Sequence, residues 1–218
     1  MNLFKGKYRT DSARLKYWNY NWSAPYFITA CTHQRIHFFG EVKNRKMIPN
    51  QIGHQVNIEW LKTLELRPDM NLMLGDFQVM PNHFHGIIII GENKYNSRNK
   101  KFDTDAMHRV STDDLPHRDL TNKPANPKSN IIEITNPKFP DSRTGKTIQN
   151  KFGPQKKNLG SIMRGFKSAV TTYARINNLS FKWQPKFHDH VIRNQGEYDR
   201  ISNYIKKNPE NWTGDKFF

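Results

Sequence analysis

The stretch that most constrains the fold is "HFHGIIII", His83 to Ile90. Four consecutive isoleucines suit a strand covered on both faces, which makes it a central strand of a sheet. The residues before it, "VMPN", carry turn chemistry at Pro81 and Asn82, so the strand hairpins onto "MNLMLGDFQVM". Alternation points His83 and His85 to one face, with Ile87 and Ile89 further along it. Two imidazoles at a strand entrance either pack as core histidines or share a metal ion. An isolated H-x-H pattern leaves both readings open.

The other elements follow from periodicity and punctuation. "PYFITACTHQR" (Pro25 to Arg35) reads as a strand rich in aromatic and β-branched residues. Gln51 to Leu66 reads as a helix, with Ile52, Val56, Trp60 and Leu64 along one face and "RPD" closing it. From Glu92 to about Lys157 the chain turns polar and rich in Asn, Lys, Asp and Pro, which marks an insertion. Order returns over Asn158 to Asn178, where Leu159, Ile162, Phe166, Val170 and Tyr173 form an apolar stripe. Arg164, Lys167, Thr171 and Arg175 form a separate polar face, suited to solvent or to phosphates. "KFHDHVI" is a fourth strand, and "GEYDRISNYIKKN" is a last helix stopped by Pro209.

The order β-α-β-β-(insertion)-α-β-α predicts one α+β domain over residues 1–218. Its expected architecture is ferredoxin-like: a four-stranded antiparallel sheet with two crossover helices on one face. The last helix then takes the opposite face.

Charge narrows the partner. Lys and Arg number 35 against 19 Asp and Glu, a formal net charge of +16. The basic residues are interleaved with Trp, Tyr and Phe, the mixture that phosphate attraction and base stacking use. The single cysteine, Cys31, excludes an intramolecular disulfide. The N-terminal stretch lacks the apolar core of a secretory signal, and no apolar run reaches the roughly 20 residues a spanning helix needs. A cytoplasmic, nucleoid-associated protein is expected.

Two H-x-H pairs compete for a metal: His83 with His85, and His188 with His190 in "FHDHVI". Spacing does not choose between them. In the last helix Tyr204 lies on the apolar side with Tyr198, Ile201 and Ile205, where a packed core tyrosine is the ordinary expectation. Asn208 lies one turn beyond Tyr204, and an inward amide needs a partner. A helix laid across the open sheet face would bring Tyr204 and Asn208 to the histidines.

"VMPNHFHGIII" resembles the HUH motif (His, hydrophobic, His) of single-tyrosine transposases. "WQPKFHDHVIRNQGEYDRISNYIKKNPENW" (Trp183 to Trp212) resembles the C-terminal block of the REP-associated tyrosine transposases. The resemblance spans Tyr26 to Arg35, the first helix, the motif strand and everything from Leu159 onward. It leaves out the insertion and the first twenty or so residues. It implies an HUH fold with a tyrosine-bearing C-terminal helix. It implies that His83, His85 and Asn208 are metal ligands and that Tyr204 is the nucleophile. It assigns His190 to the non-ligating histidine before I-R.

Imidazole alone would suit Zn²⁺. An amide oxygen and a phosphate shift the set toward Mg²⁺ or Mn²⁺, which the family uses. The implied substrate is single-stranded DNA carrying a hairpin, cut through a 5′-phosphotyrosine. No nucleotide cofactor is expected, since no Walker-type loop is present. The candidate DNA contacts are Arg164, Lys167, Arg175, Trp183, His190 and Arg193, with Trp212 a further stacking candidate. The resemblance favours a monomer over a helix-swapped dimer. Two other readings stand beside it: a non-catalytic, domesticated hairpin binder, and a metal-dependent hydrolase in which water attacks.

Overall fold

The computed structural model describes residues 18–97 and 156–212. Its central sheet has four strands: β1 (Ala24–Cys31), β4 (Leu72–Met80), β5 (His83–Ile90) and β6 (His188–Val191). Two short strands, β2 (Gly40–Lys43) and β3 (Lys46–Pro49), form a separate hairpin. Three α-helices complete the frame: α1 (Gln51–Glu65), α2 (Leu159–Ile176) and α3 (Gln195–Lys207). The sheet order is β4-β5-β1-β6, and every pairing is antiparallel. This is the expected α+β arrangement. The stretches "NIIEITN" and "GKTIQNKFG", and most of the insertion, lie outside the described residues.

The β2–β3 hairpin was not expected from the sequence. Its turn is Asn44-Arg45, both with positive φ (50° and 59°), the conformation a two-residue hairpin loop requires. Asparagine tolerates that region, so "KNRK" held a faint turn signal. The first strand is also shorter than expected. It ends at Cys31, and His33–Arg35 turn into a 3₁₀ segment with Gln34 and Arg35 at positive φ.

All eight residues of β5 are buried. One face carries Phe84, Ile88 and Ile90, packed with Tyr26 and Ile28 of β1 under α1 and α2. Trp60 of α1, Phe84 and Phe166 of α2 form an aromatic knot, with ring centroids 4.8, 5.3 and 5.2 Å apart. Gly86 interrupts the apolar run because a Cβ there would stand 2.8 Å from the Phe84 ring and 2.9 Å from that of Trp60. The other face carries Ile87 and Ile89, which pack with Ile192 and with Ile201 and Ile205 of α3. The last helix therefore covers the second face.

Asparagine side chains cap all three helices. Asn50, Asn158 and Asn194 each accept a hydrogen bond from the backbone N–H of the third residue onward. The two ends of the insertion meet at Asp69. The Tyr95 hydroxyl and the Lys157 ammonium both donate to its Oδ2, each at 2.5 Å.

Phe84 fills the centre of the aromatic knot and is fully buried. Phe84→Ala is expected to lower unfolding free energy by about 3–5 kcal/mol. Urea titration followed by tryptophan fluorescence measures it, with an unchanged m-value showing that the native fold is kept.

Candidate active site

The second face of the sheet, where β5 begins, gathers the polar residues that the sequence singled out. His83 and His85 lie 4.5 Å apart by ring centroid, and their side chains share that face. Each ring is held through Nδ1. His83 Nδ1 is 2.7 Å from Asn82 Oδ1, and His85 Nδ1 is 2.9 Å from the Thr29 hydroxyl, with a further hydrogen bond to the Ile28 backbone. An imidazole whose Nδ1–H is donated to a neighbour presents Nε2 as a lone pair. Asn82 is itself fixed, because its carbonyl accepts from the Thr32 backbone N–H at 2.9 Å.

Helix α3 brings Tyr204 and Asn208 to the same place. The Tyr204 hydroxyl is 3.2 Å from His85 Nε2. Asn208, the C-cap of α3, lies close enough to His83 and Tyr204 to act on the charge state of both, while His83 Nε2 is buried. Phe27 of β1 stacks on His85 at 5.3 Å and meets Tyr204 edge-on at 6.2 Å. Trp212 stands at the outer side, its ring 6.0 Å from His83 and 5.9 Å from His37.

Burial sets the charge state. It pushes the pKa of His83 down to about 2, helped by the proximity of His85 and the Arg35 guanidinium, while Asn208 offsets a little. Burial likewise pushes His85 down to about 3. Both rings are neutral at pH 7. Tyr204 is raised above 10 by burial, with Asn208 again opposing. The site thus combines two neutral imidazoles, one amide and one phenol, with the Arg35 guanidinium near enough to act on His83.

This donor set fits a divalent cation. Metal binding requires neutral imidazole, and here burial keeps the rings neutral while the Asn82 amide oxygen on His83 Nδ1 leaves that ring's Nε2 as a lone pair. Three Cys, His, Asp or Glu side chains do not cluster anywhere among the described residues. A third protein ligand at this site would therefore be an amide such as Asn208.

The rival pair is placed differently. His188 and His190 are exposed on β6, and His190 Nε2 is 2.8 Å from Glu197. The Arg193 backbone N–H donates to the same carboxylate at 2.8 Å, so both residues close the first turn of α3. Lys167, Arg175 and Trp183 line one surface depression of about 470 Å³ on α2, with Ser168, Thr171 and Thr172. Arg164 is exposed on α2 and is not among the lining residues.

Trp183 is only 8% exposed and donates its indole N–H to the Lys167 carbonyl, so it packs as core and offers no stacking surface. The Lys167 ammonium is tied to the carbonyls of Gln184 and Lys186, each at 2.7 Å, and burial pushes its pKa down to about 8. Tyr173 accepts from Gln51 between α1 and α2, and Tyr198 packs against Gly75, so neither tyrosine joins the histidines.

Thr29, Asn82 and Arg35 were missed as site residues. Asn82 lay in the recognised turn, but its grip on His83 depends on where the turn folds. Thr29 reaches His85 only through the β1–β5 register.

No known protein-family profile matches the chain. It is 30% identical over 214 residues to an uncharacterized protein of Haemophilus influenzae, covering 98% of this chain and 95% of that one. The chain belongs to that protein's family. Among solved structures, a REP-associated tyrosine transposase bound to a REP hairpin aligns with a TM-score of 0.44 at 16% identity, over 95% of this chain and 76% of that one. No helix among the described residues is long and apolar enough to cross a membrane.

The neutral histidines imply acid sensitivity. Both folded pKa values lie below the ordinary value of about 6.5, so the unfolded chain binds protons that the native state refuses. Stability therefore falls as pH drops below about 6.5 and keeps falling toward the folded values. Between pH 7 and pH 5 the loss is about 2 kcal/mol per histidine. Urea midpoints measured with chelator present should show it, and His83→Gln should remove about half.

Proposed function

We propose that the protein is a metal-dependent HUH transposase of the REP-associated type, which cuts and rejoins single-stranded DNA through Tyr204. The observation that carries this reading is the convergence of Tyr204 on His85 at 3.2 Å, with Asn208 close to both Tyr204 and His83 and with His83 Nε2 buried. A packed core tyrosine would be buried, whereas Tyr204 is 43% exposed beside two neutral imidazoles.

In this reading His83 Nε2, His85 Nε2 and the Asn208 amide oxygen would hold the ion, Mg²⁺ or Mn²⁺. When bound, the ion polarises the non-bridging oxygens of the scissile phosphate and favours the phenolate. Neutral ligands leave the ion's charge uncompensated, which suits an anionic phosphodiester. His85 does not serve as general base, because its pKa of about 3 lies far below that of the phenol. With its Nε2 given to the ion, His85 would act as a ligand beside the Tyr204 oxygen.

The Tyr204 oxygen attacks phosphorus, the bond to the 3′ oxygen breaks, and that oxygen leaves as a 3′-OH after taking a proton. The 5′-phosphotyrosine keeps the phosphodiester energy, so attack by another 3′-OH rejoins the strand and restores the phenol. Arg35 beside His83 and the net charge of +16 favour a polyanion at this surface. The depression lined by Lys167 and Arg175 offers a second place for the DNA backbone.

A non-catalytic hairpin binder would keep the basic surface without needing the Tyr204–His85 contact. A hydrolase using water would keep the metal ligands without needing the phenol. Incubation with a hairpin-bearing oligonucleotide and Mn²⁺, followed by denaturing electrophoresis, separates the three. The expected result is a protein–DNA adduct that Tyr204→Phe abolishes and His83→Ala reduces by at least about 10³-fold. Cleavage that persists in Tyr204→Phe would sink the tyrosine assignment, and binding without cleavage would support the binder.

Backbone contact at the depression is checked separately by affinity against salt. Arg175→Ala should weaken hairpin binding for all stem sequences alike and reduce the log–log salt slope by about 1.

A further inference from the structure

Strand β4 carries a register shift between Leu74 and Phe77, so Gly75 and Asp76 bulge out of the ladder with β5. At the bulge Asp76 meets α3. Its carboxylate accepts from the Ser202 hydroxyl and lies 3.2 Å from the Lys206 ammonium. Ser202 is buried, Asp76 is 30% exposed, and Lys206 is largely in solvent, so the serine bond is the better fixed of the two. Beside it Gly75 leaves room for Tyr198: a Cβ there would come 2.6 Å from the phenol oxygen.

These contacts fall on one flank of α3. Successive residues turn by about 100° around a helix. Ile201 and Ile205 face the sheet, where they pack on Ile87 and Ile89. Ser202 and Lys206 follow them on the β4 side, while Tyr204 and Asn208 fall on the opposite flank, toward His85 and Phe27. Isoleucines on isoleucines resist sliding apart but fix the roll of a helix poorly, since apolar contact is non-directional. A hydrogen bond on one flank does fix it.

We propose that Asp76 is a positioning residue for Tyr204: it sets the roll of α3 through Ser202, with Lys206 in support, and thereby holds the phenol against His85. The catalytic consequence rests on the function proposed above, but the geometric claim does not. Releasing the β4 flank lets α3 roll and withdraws the Tyr204 oxygen on the far side, so the effect falls on the chemical step and not on DNA binding.

The test uses the full chain in two readouts. In ¹⁵N-histidine-labelled protein with chelator, Tyr204→Phe identifies the His85 Nε2 shift that reports loss of the phenol contact. Asp76→Ala should move that signal the same way, and Asp76→Asn, which keeps an acceptor for Ser202, should leave it near wild type. In the adduct assay Asp76→Ala should slow covalent capture by about 10–100-fold with unchanged hairpin affinity. Adding Ser202→Ala to it should cost nothing more.

A His85 signal unmoved in Asp76→Ala would overturn the proposal, as would equal losses of binding and rate. If the wild-type protein forms no adduct, the transposase reading fails. The His85 signal still decides whether Asp76 sets the helix.

Discussion

The structure depends on a strand that water reaches from neither side. Every residue of β5 is buried, so the chain must supply apolar cover for two faces of one sheet. Crossover helices α1 and α2 do this on one side through the Trp60–Phe84–Phe166 knot. The other side needs a separate element, and α3 is the one left. The helix that carries Tyr204 and Asn208 is thus drawn to the histidine face by the demand of Ile87 and Ile89 for cover. Chemistry and core packing share one surface, and neither is formed without the other.

Burial also decides what the histidines can do. At the mouth of a dry face the imidazoles lose water and with it their affinity for protons. Neutral rings with Nδ1 engaged present Nε2 as the remaining basic atom. A polar cluster inside a core is ordinarily a cost. Here Thr29 and Asn82 meet part of that cost with hydrogen bonds at the two Nδ1 atoms, and His83 Nε2 stays buried.

Much of this was legible in the sequence, and for identifiable reasons. The run of isoleucines fixed a central strand, and strand alternation fixed the shared face of His83 and His85. Helical spacing linked Tyr204 to Asn208. Spacing could not rank the two H-x-H pairs, because that choice depends on which strand lies under α3: β6 is at the sheet edge, and His190 is spent on Glu197. Nor could it separate Trp183 from Trp212. Both sit in basic, aromatic surroundings, yet one inserts between Phe39 and Phe166 while the other stands beside His83. The Thr29 and Asp76 contacts were invisible for a related reason. Each joins residues far apart in the chain, and a bulge such as that at Gly75–Asp76 has no signature beyond a glycine.

The meeting of Tyr95 and Lys157 on Asp69 has a consequence for how such a chain can change over time. The polypeptide leaves the sheet after β5 and comes back before α2 at a single buckle. The entropic cost of closing a loop rises only with the logarithm of its length, and the buckle fixes where both ends stand. Residues can be gained or shed between those ends without the strands or α2 changing register. A change of length there would be taken up between two fixed posts, at a distance along the chain from the helix that bears Tyr204.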